Sequence, residues 1–337
     1  MTDLGDYSRE VEVALKLQQE CIPIAIRSQE QLNTEQIQEK SDGTVVSICD
    51  FALQCIIMDR IKKEFPGDFV FGEEDMKKAT PEFLNSVKTL LPEGLNPETA
   101  CADAVRSFKA TEQGPGPHRC WVIDPIDGTA GFVKKDHYAV AMALLIDRQP
   151  VCSIVGWPSH KPEFSGVPID GPAIFVAVKN HGTYAYDLQL NVQPCLPLQV
   201  KPPQECSLCS NFKIGQGTAL CRKVAAECGI TKELLMVSMT KGFILAMGRA
   251  NLYIRVHFNL YENAWDIAPF SLFVEEMGGI CSTIEGTPIV YGDEGQTTGG
   301  LYGLVFTMGG QEFHDKVRSI YKEHIREFFP LLNPSRL

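Results

Sequence analysis

The sequence predicts a mixed α+β / α/β protein, an antiparallel-sheet half followed by an α/β half with the boundary near residue 203. Two patterns carry this. Between Arg119 and Tyr186 apolar runs follow one another across short polar turns, and strands joined that way pair antiparallel. After Pro203 short apolar runs alternate with segments of helical periodicity. The chain has 337 residues, 44 % apolar and 22 % charged, which is enough for two cores. We therefore divide it into residues 1–203, with the large sheet and most acidic motifs, and residues 204–337, which complete the site.

The elements follow in order. Ser8 can cap a helix whose apolar positions Val11, Ala14, Leu15, Cys21 and Ile22 share a face, and Pro23 is expected to kink or end it. A second helix starts at Asp50, with Phe51, Gln54, Ile57, Met58 and Ile61 on one face. Phe69-Val70-Phe71 is a short strand leading into Gly72-Glu73-Glu74-Asp75. The Pro- and Gly-rich stretch from Pro92 to Pro117 reads as an excursion with little core of its own. Strands are expected at Arg119–Asp124, Tyr138–Asp147 and Val151–Trp157, then a hairpin of Ala173–Lys179 and Thr183–Tyr186 across Asn180-His181-Gly182. In the second half, helices are expected at Thr218–Cys228, Met239–Gly248, Trp265–Met277 and Phe313–Phe328, with strands at Leu234–Val237 and Leu252–Val256.

Composition removes several classes. A net charge of −11 lacks the basic footprint of a protein that neutralises a nucleic-acid polymer. The longest apolar run, Tyr138 to Ile146, is too short to span a bilayer, and the first residues carry no signal-peptide pattern. The twelve cysteines have no framework spacing, so reduced thiols in a cytoplasmic protein are expected. Oligomeric state is left unassigned.

Chemistry concentrates at Asp124-Pro125-Ile126-Asp127-Gly128-Thr129, which follows the apolar run Cys120-Trp121-Val122-Ile123. Two carboxylates three positions apart, delivered by a buried strand into a tight turn, suit a hard divalent cation that also meets a phosphate. Asp50 and Asp266 open helices, where acids are also common first-turn residues; Glu73 lies in an acidic loop that solvation alone would explain. Rival chemistries fail on spacing. A phosphoaspartate enzyme needs one residue between its aspartates, and here Pro125 and Ile126 intervene. Cys21 and Arg27 match a Cys-x5-Arg spacing, but no glycine lies between them to wrap amides round a phosphate. The seven histidines show no zinc spacing, and Cys206-x-x-Cys209 has no second pair.

Taken together, Lys40 to Asp50, Gly72-Glu73-Glu74, Trp121 to Thr129, and Trp265-Asp266-Ile267-Ala268 ahead of Glu276-Met277-Gly278-Gly279 resemble the lithium-sensitive, magnesium-dependent phosphatase superfamily of inositol monophosphatase and fructose-1,6-bisphosphatase. Within it, Asp127 to Phe132, Ser238-Met239-Thr240-Lys241 and Arg255 look most like 3′(2′),5′-bisphosphate nucleotidases. The resemblance implies a layered αβαβα sandwich and hydrolysis of a small phosphorylated substrate, the 3′-phosphate of adenosine 3′,5′-bisphosphate, with an inositol phosphate as the alternative. It implies two to three Mg2+ per site. Glu73, Asp124 and the Ile126 carbonyl would hold one; Asp124, Asp127 and Asp266 a second; Asp50 with Glu73 a weaker third. Thr129, bonded to Asp50, would activate water; the Gly128 and Thr129 amides would meet the phosphate; Ser238, Lys241 and Arg255 would line the nucleotide side. Val45 in place of the family's usual proline, the bulky Ile48-Cys49 pair, and a Cys209–Ile214 segment without a Ser/His-rich turn are departures.

Overall fold

Alternation along one long strand sets the layering. The structure, a computed structural model, describes residues 4–39, 45–111, 116–195, 207–210, 215–257, 261–300 and 302–330. Lys40–Thr44, Asn211–Ile214 and the expected boundary near residue 203 lie outside the described residues.

The first elements are helix α1 (Ser8–Gln31), the small pair β1 (Ile37–Glu39) and β2 (Val45–Ser47), and helix α2 (Ile48–Glu64). Strand β3 (Phe69–Gly72), short helices α3 (Pro81–Lys88) and α4 (Pro97–Ala100), strand β4 (Arg119–Asp127) and helix α5 (Thr129–Val133) follow. Then come β5 (Ala139–Ile146), β6 (Gln149–Trp157), α6 (Pro162–Ser165), β7 (Ala173–Val178), β8 (Gly182–Tyr186) and β9 (Val192–Pro194). The remaining elements are β10 (Ser207–Ser210), α7 (Gln216–Glu227), β11 (Lys232–Leu235), α8 (Thr240–Ala246), β12 (Leu252–Arg255), α9 (Ala264–Glu276), β13 (Ile280–Thr283), β14 (Val290–Tyr291), β15 (Thr297–Thr298), β16 (Leu304–Thr307) and α10 (Gly310–Phe328).

Among the described residues, β3 to β9 form one sheet in chain order, parallel only at the β3–β4 pair. The second sheet has the order β11-β10-β12-β16-β13 and mixes parallel with antiparallel pairs. On β4 and β5 the odd and even positions divide cleanly. Trp121, Ile123, Val140, Met142 and Leu144 face the layer of α1 and α2, burying Val11, Leu53 and Ile57. Cys120, Val122, Ala139, Ala141 and Ala143 face the other way, onto the layer of α8 and α9. That middle layer also packs on the second sheet through Tyr253, Leu304 and Phe306, whose far face meets α7 and α10 through Leu252, Val305, Val224 and Tyr321. The order is therefore helix, sheet, helix, sheet, helix, as expected. Helix α9 is buried on every face from Ile267 to Val274 because it lies between two sheets. The row of alanines on β5 gives it room to approach.

Five local expectations change. Helix α1 continues through Pro23 to Gln31, because proline removes one helical bond while Cys21, Ile22 and Ala25 are fully buried by the sheet and α2. Strand β4 does not stop at Asp124: pairing resumes at Asp127 with Ala139 after a register shift, a bulge that re-aims the side chains. The excursion contributes to the core after all, burying Ala100, Cys101 and Phe108. Strands β10, β13 and β16 stand where the sequence pattern assigns none. Leu234–Val237 is displaced to Lys232–Leu235. Asp147 and Arg148 both have positive φ, which makes the β5–β6 connection a tight two-residue turn. The described cysteines are all free, and no described helix is long and apolar enough to cross a membrane.

One buried histidine makes the outer layers acid-sensitive. His314 on α10 lies between the Ser282 and Thr307 hydroxyls, at 2.7 and 2.8 Å. Burial, with Arg318 nearby, pushes its pKa down to about 4. The folded protein keeps it neutral while the unfolded chain protonates it below about 6.5. Its contribution is thus intact above that pH and lost as pH falls toward 4. Denaturation midpoints followed between pH 7 and 4 should fall less steeply in His314→Asn than in the native chain; parallel curves would refute the assignment.

Candidate active site

The end of β4, the turn after β3, the start of α2 and the start of α9 meet at one point. Asp124 and Asp127 reach it across the bulge in β4, and Asp266 reaches it from the first turn of α9. Carboxylate oxygens of these three residues lie within 4.8 Å of one another. Glu73, half-buried after β3, lies beside the Asp124 carboxyl and adds to the rise of its pKa. The Glu73 N–H donates to the Ile123 carbonyl at 3.0 Å, so the two parallel strands place it beside Asp124.

Such crowding costs free energy unless protons or cations enter. Burial first, then Glu73, Asp127 and Asp266, drive the Asp124 carboxyl well above the usual range. Burial also raises Asp127, against the Met239 amide and the charges of Lys241 and Arg255. Burial pushes Asp266 up to about 7, with Arg255 opposing and Glu73 and Asp127 adding to the rise. Asp124 Oδ1 is buried without a hydrogen-bond partner. An all-oxygen donor set with an orphaned carboxylate oxygen fits a hard divalent cation.

Asp50 stands outside that trio. It is the third residue of α2, and its Oδ2 accepts from the Ser47 N–H at 2.9 Å and the Ser47 hydroxyl at 2.6 Å, a reciprocal cap. Its Oδ1 accepts from the Thr129 hydroxyl at 3.1 Å, and that hydroxyl also lies 3.1 Å from the Ile126 carbonyl oxygen. Gly128 begins α5 with φ +89°, and a Cβ there would sit 2.7 Å from Ser238 Cβ. Only glycine meets both demands.

Across the cleft, Ser238 has φ +61°, and the turn it makes aims the Met239 N–H at Asp127 Oδ2. Lys241 is buried, donates to the Ser238 carbonyl at 2.6 Å and lies 5.6 Å over the Tyr253 ring. Burial brings its pKa down to about 8, with Asp127 opposing. Arg255 pairs with Glu262 at 2.6 Å, and His257 Nδ1 lies 3.2 Å from the other Glu262 oxygen. The sequence offered no sign of the Met239 amide, since a backbone donor has no residue signature. Ser47 was legible in principle, because Ser47-x-x-Asp50 has the spacing of a reciprocal cap.

Comparison with known proteins gives the family and the fold. The chain matches the model of the inositol monophosphatase family over residues 6–316. It is 31 % identical over 277 residues to a 3′(2′),5′-bisphosphate nucleotidase of Schizosaccharomyces pombe, covering 75 % of this chain and 77 % of that one. A protein of the same name from Dictyostelium discoideum is 28 % identical, covering 83 % and 87 %. Among solved structures the Thermotoga maritima IMPase superposes with a TM-score of 0.64 at 18 % identity, covering 95 % of this chain and 99 % of that one; it has the same fold.

The raised carboxyl groups carry a consequence for cation binding. A cation entering near neutral pH must displace protons held at Asp124 and Asp266, so affinity should rise with pH between 6 and 8. One proton released corresponds to about tenfold per pH unit. Calorimetric titration with Mg2+ in two buffers of different ionisation enthalpy should give different heats; identical heats would contradict the protonated cluster.

Proposed function

The chain belongs to the inositol monophosphatase family, and from there we propose that it is a Mg2+-dependent phosphomonoesterase that removes the 3′-phosphate of adenosine 3′,5′-bisphosphate to leave AMP. The observation that carries the reading is the close trio of buried Asp124 with half-buried Asp127 and Asp266, one Asp124 oxygen being orphaned, in a chain whose relatives over most of its length are named bisphosphate nucleotidases.

In this reading Glu73, Asp124, the Ile126 carbonyl, Asp127 and Asp266 hold two Mg2+, and Asp50 with Glu73 helps place a third. Cations held there would supply neutralisation of phosphoryl charge and a lowered pKa for the attacking water. The chain's own groups do the rest. The Thr129 hydroxyl has one proton and two acceptors, Asp50 Oδ1 and the Ile126 carbonyl, so its lone pairs stay available to a water. A proton leaving that water passes to the Thr129 oxygen while the Thr129 proton passes to Asp50 Oδ1. Ser47 occupies the other Asp50 oxygen, which fixes the direction of transfer. The amides of Gly128 and Thr129 receive the phosphate. Ser238, Lys241 and Arg255, on the far side of the acidic trio, take the nucleotide; Lys241 and Arg255 offset the negative charge of Asp127 and the substrate.

Two measurements test this. Phosphate release should be fastest from adenosine 3′,5′-bisphosphate in a panel containing its 5′-phosphosulfate analogue, AMP and inositol phosphates; preference for an inositol phosphate would overturn the substrate assignment. Asp127→Ala should abolish turnover, and Asp50→Asn should lower kcat by roughly 10²–10⁴-fold if Asp50 takes the proton. Near-native rates in either variant would remove that residue from the mechanism.

A further inference from the structure

The excursion after α4 returns to the site in a way the proposed chemistry does not require. The Val105 N–H donates to the Val70 carbonyl at 2.9 Å, so this segment runs beside β3 immediately before Glu73. Arg106 then folds over the turn: Nη1 donates to the Gly72 carbonyl at 2.8 Å and Nη2 to the Glu74 carbonyl at 2.6 Å. From the opposite side Gln54 on α2 closes a two-bond ring on Glu74. Its Nε2 donates to the Glu74 carbonyl at 2.7 Å, and its Oε1 accepts the Glu74 N–H at 2.9 Å. The backbone is thus gripped on both sides of Glu73. A Cβ at Gly72 would lie 2.3 Å from Gln54 Oε1, so the grip is as tight as glycine permits.

The same strap continues to the other half. The Ser107 hydroxyl and the Phe108 N–H both donate to the Asp293 carbonyl, at 2.8 and 2.6 Å. Two residues on, the Gly295 carbonyl accepts the Ala264 N–H at 2.8 Å, at the start of the helix that carries Asp266. Phe71 packs its ring 5.6 Å from Phe108 and 5.2 Å from Trp265. One short segment therefore touches the chain on either side of Glu73 and, through Asp293–Gly295, the base of Asp266.

We propose that Val105–Phe108 is a strap that fixes Glu73 relative to Asp266, with Arg106 and Gln54 as positioning residues that set the affinity for the divalent cation. The inference rests on the cation reading of the acidic cluster. Glu73 repels its neighbours and sits at a turn with solvent beside it, so without the grip it relaxes outward. Cation sites depend on ligand placement to a fraction of an ångström, and losing an outer hydrogen-bonding partner typically weakens metal binding roughly 10–100-fold.

The test uses the 337-residue chain and Mn2+ as the probe, with binding read by calorimetry independently of activity. Arg106→Ala should bind Mn2+ roughly 10–100-fold more weakly. Its activity should need correspondingly more Mg2+ while kcat at saturating Mg2+ stays near native. Arg106→Lys, whose ammonium is not a planar fork, should fall between the two and serves if the alanine variant does not fold. His314→Asn, destabilised far from the site, should keep native affinity. Native Mn2+ affinity in Arg106→Ala or Arg106→Lys, whatever the melting temperature, would overturn the strap. If the native chain binds no Mn2+, or Asp127→Ala binds it equally well, the cation reading fails and the strap falls with it.

Discussion

Carboxylates resist being buried together, and much of this molecule is arranged round that resistance. Asp124, Asp127 and Asp266 are drawn to within 4.8 Å of one another, Asp124 buried and the other two partly so. Desolvation and mutual repulsion both raise the free energy of their charged forms. The compensation visible in the chain comes from Lys241, Arg255 and the Met239 amide, all on the second-half side. Asp50 escapes the penalty differently, by spending one oxygen on the Ser47 cap and the other on Thr129. The acids differ in role because their surroundings differ, although the residue type is the same.

That dependence bears on how closely the layers round the site approach. Gly128 and Ser238 meet with positive φ at both and no room for a Cβ at Gly128, and the turn at Ser238 delivers the Met239 amide to Asp127. Helix α9 carries Asp266 between two sheets, and the alanines of β5 let it lie close to the large one. The Ser153 hydroxyl even donates to the Pro269 carbonyl within that helix. Close packing and site geometry are one requirement here: a helix held less firmly would let Asp266 withdraw.

How much could be read in advance follows from the range of the forces involved. The pair Asp124 and Asp127 was legible because an apolar strand, a proline and two acids lie next to one another. The helices of the second half were legible from their 3.6-residue pattern. Strands β10, β13 and β16 were not. Each has four residues, and Ser207-Leu208-Cys209-Ser210 becomes a strand because β11 and β12 flank it, which no local window contains. Pro23 misled for the same reason, since burial of α1 outweighs one missing hydrogen bond. Arg106 hid in a polar stretch whose composition suggests a loop and whose contacts are all distant in sequence.

The spread of the acidic residues from Asp50 to Asp266 also has a bearing on time. No fragment that ends before Asp266 contains them all, and the last to arrive sits on a helix that must be enclosed by both sheets. A cation that needs this cluster finds its ligands in place only once the late, long-range contacts have formed. Interactions absent from the transition state leave the folding rate alone and slow unfolding. Cation concentration would then act as a clock on the lifetime of the native state, lengthening it without hastening its birth.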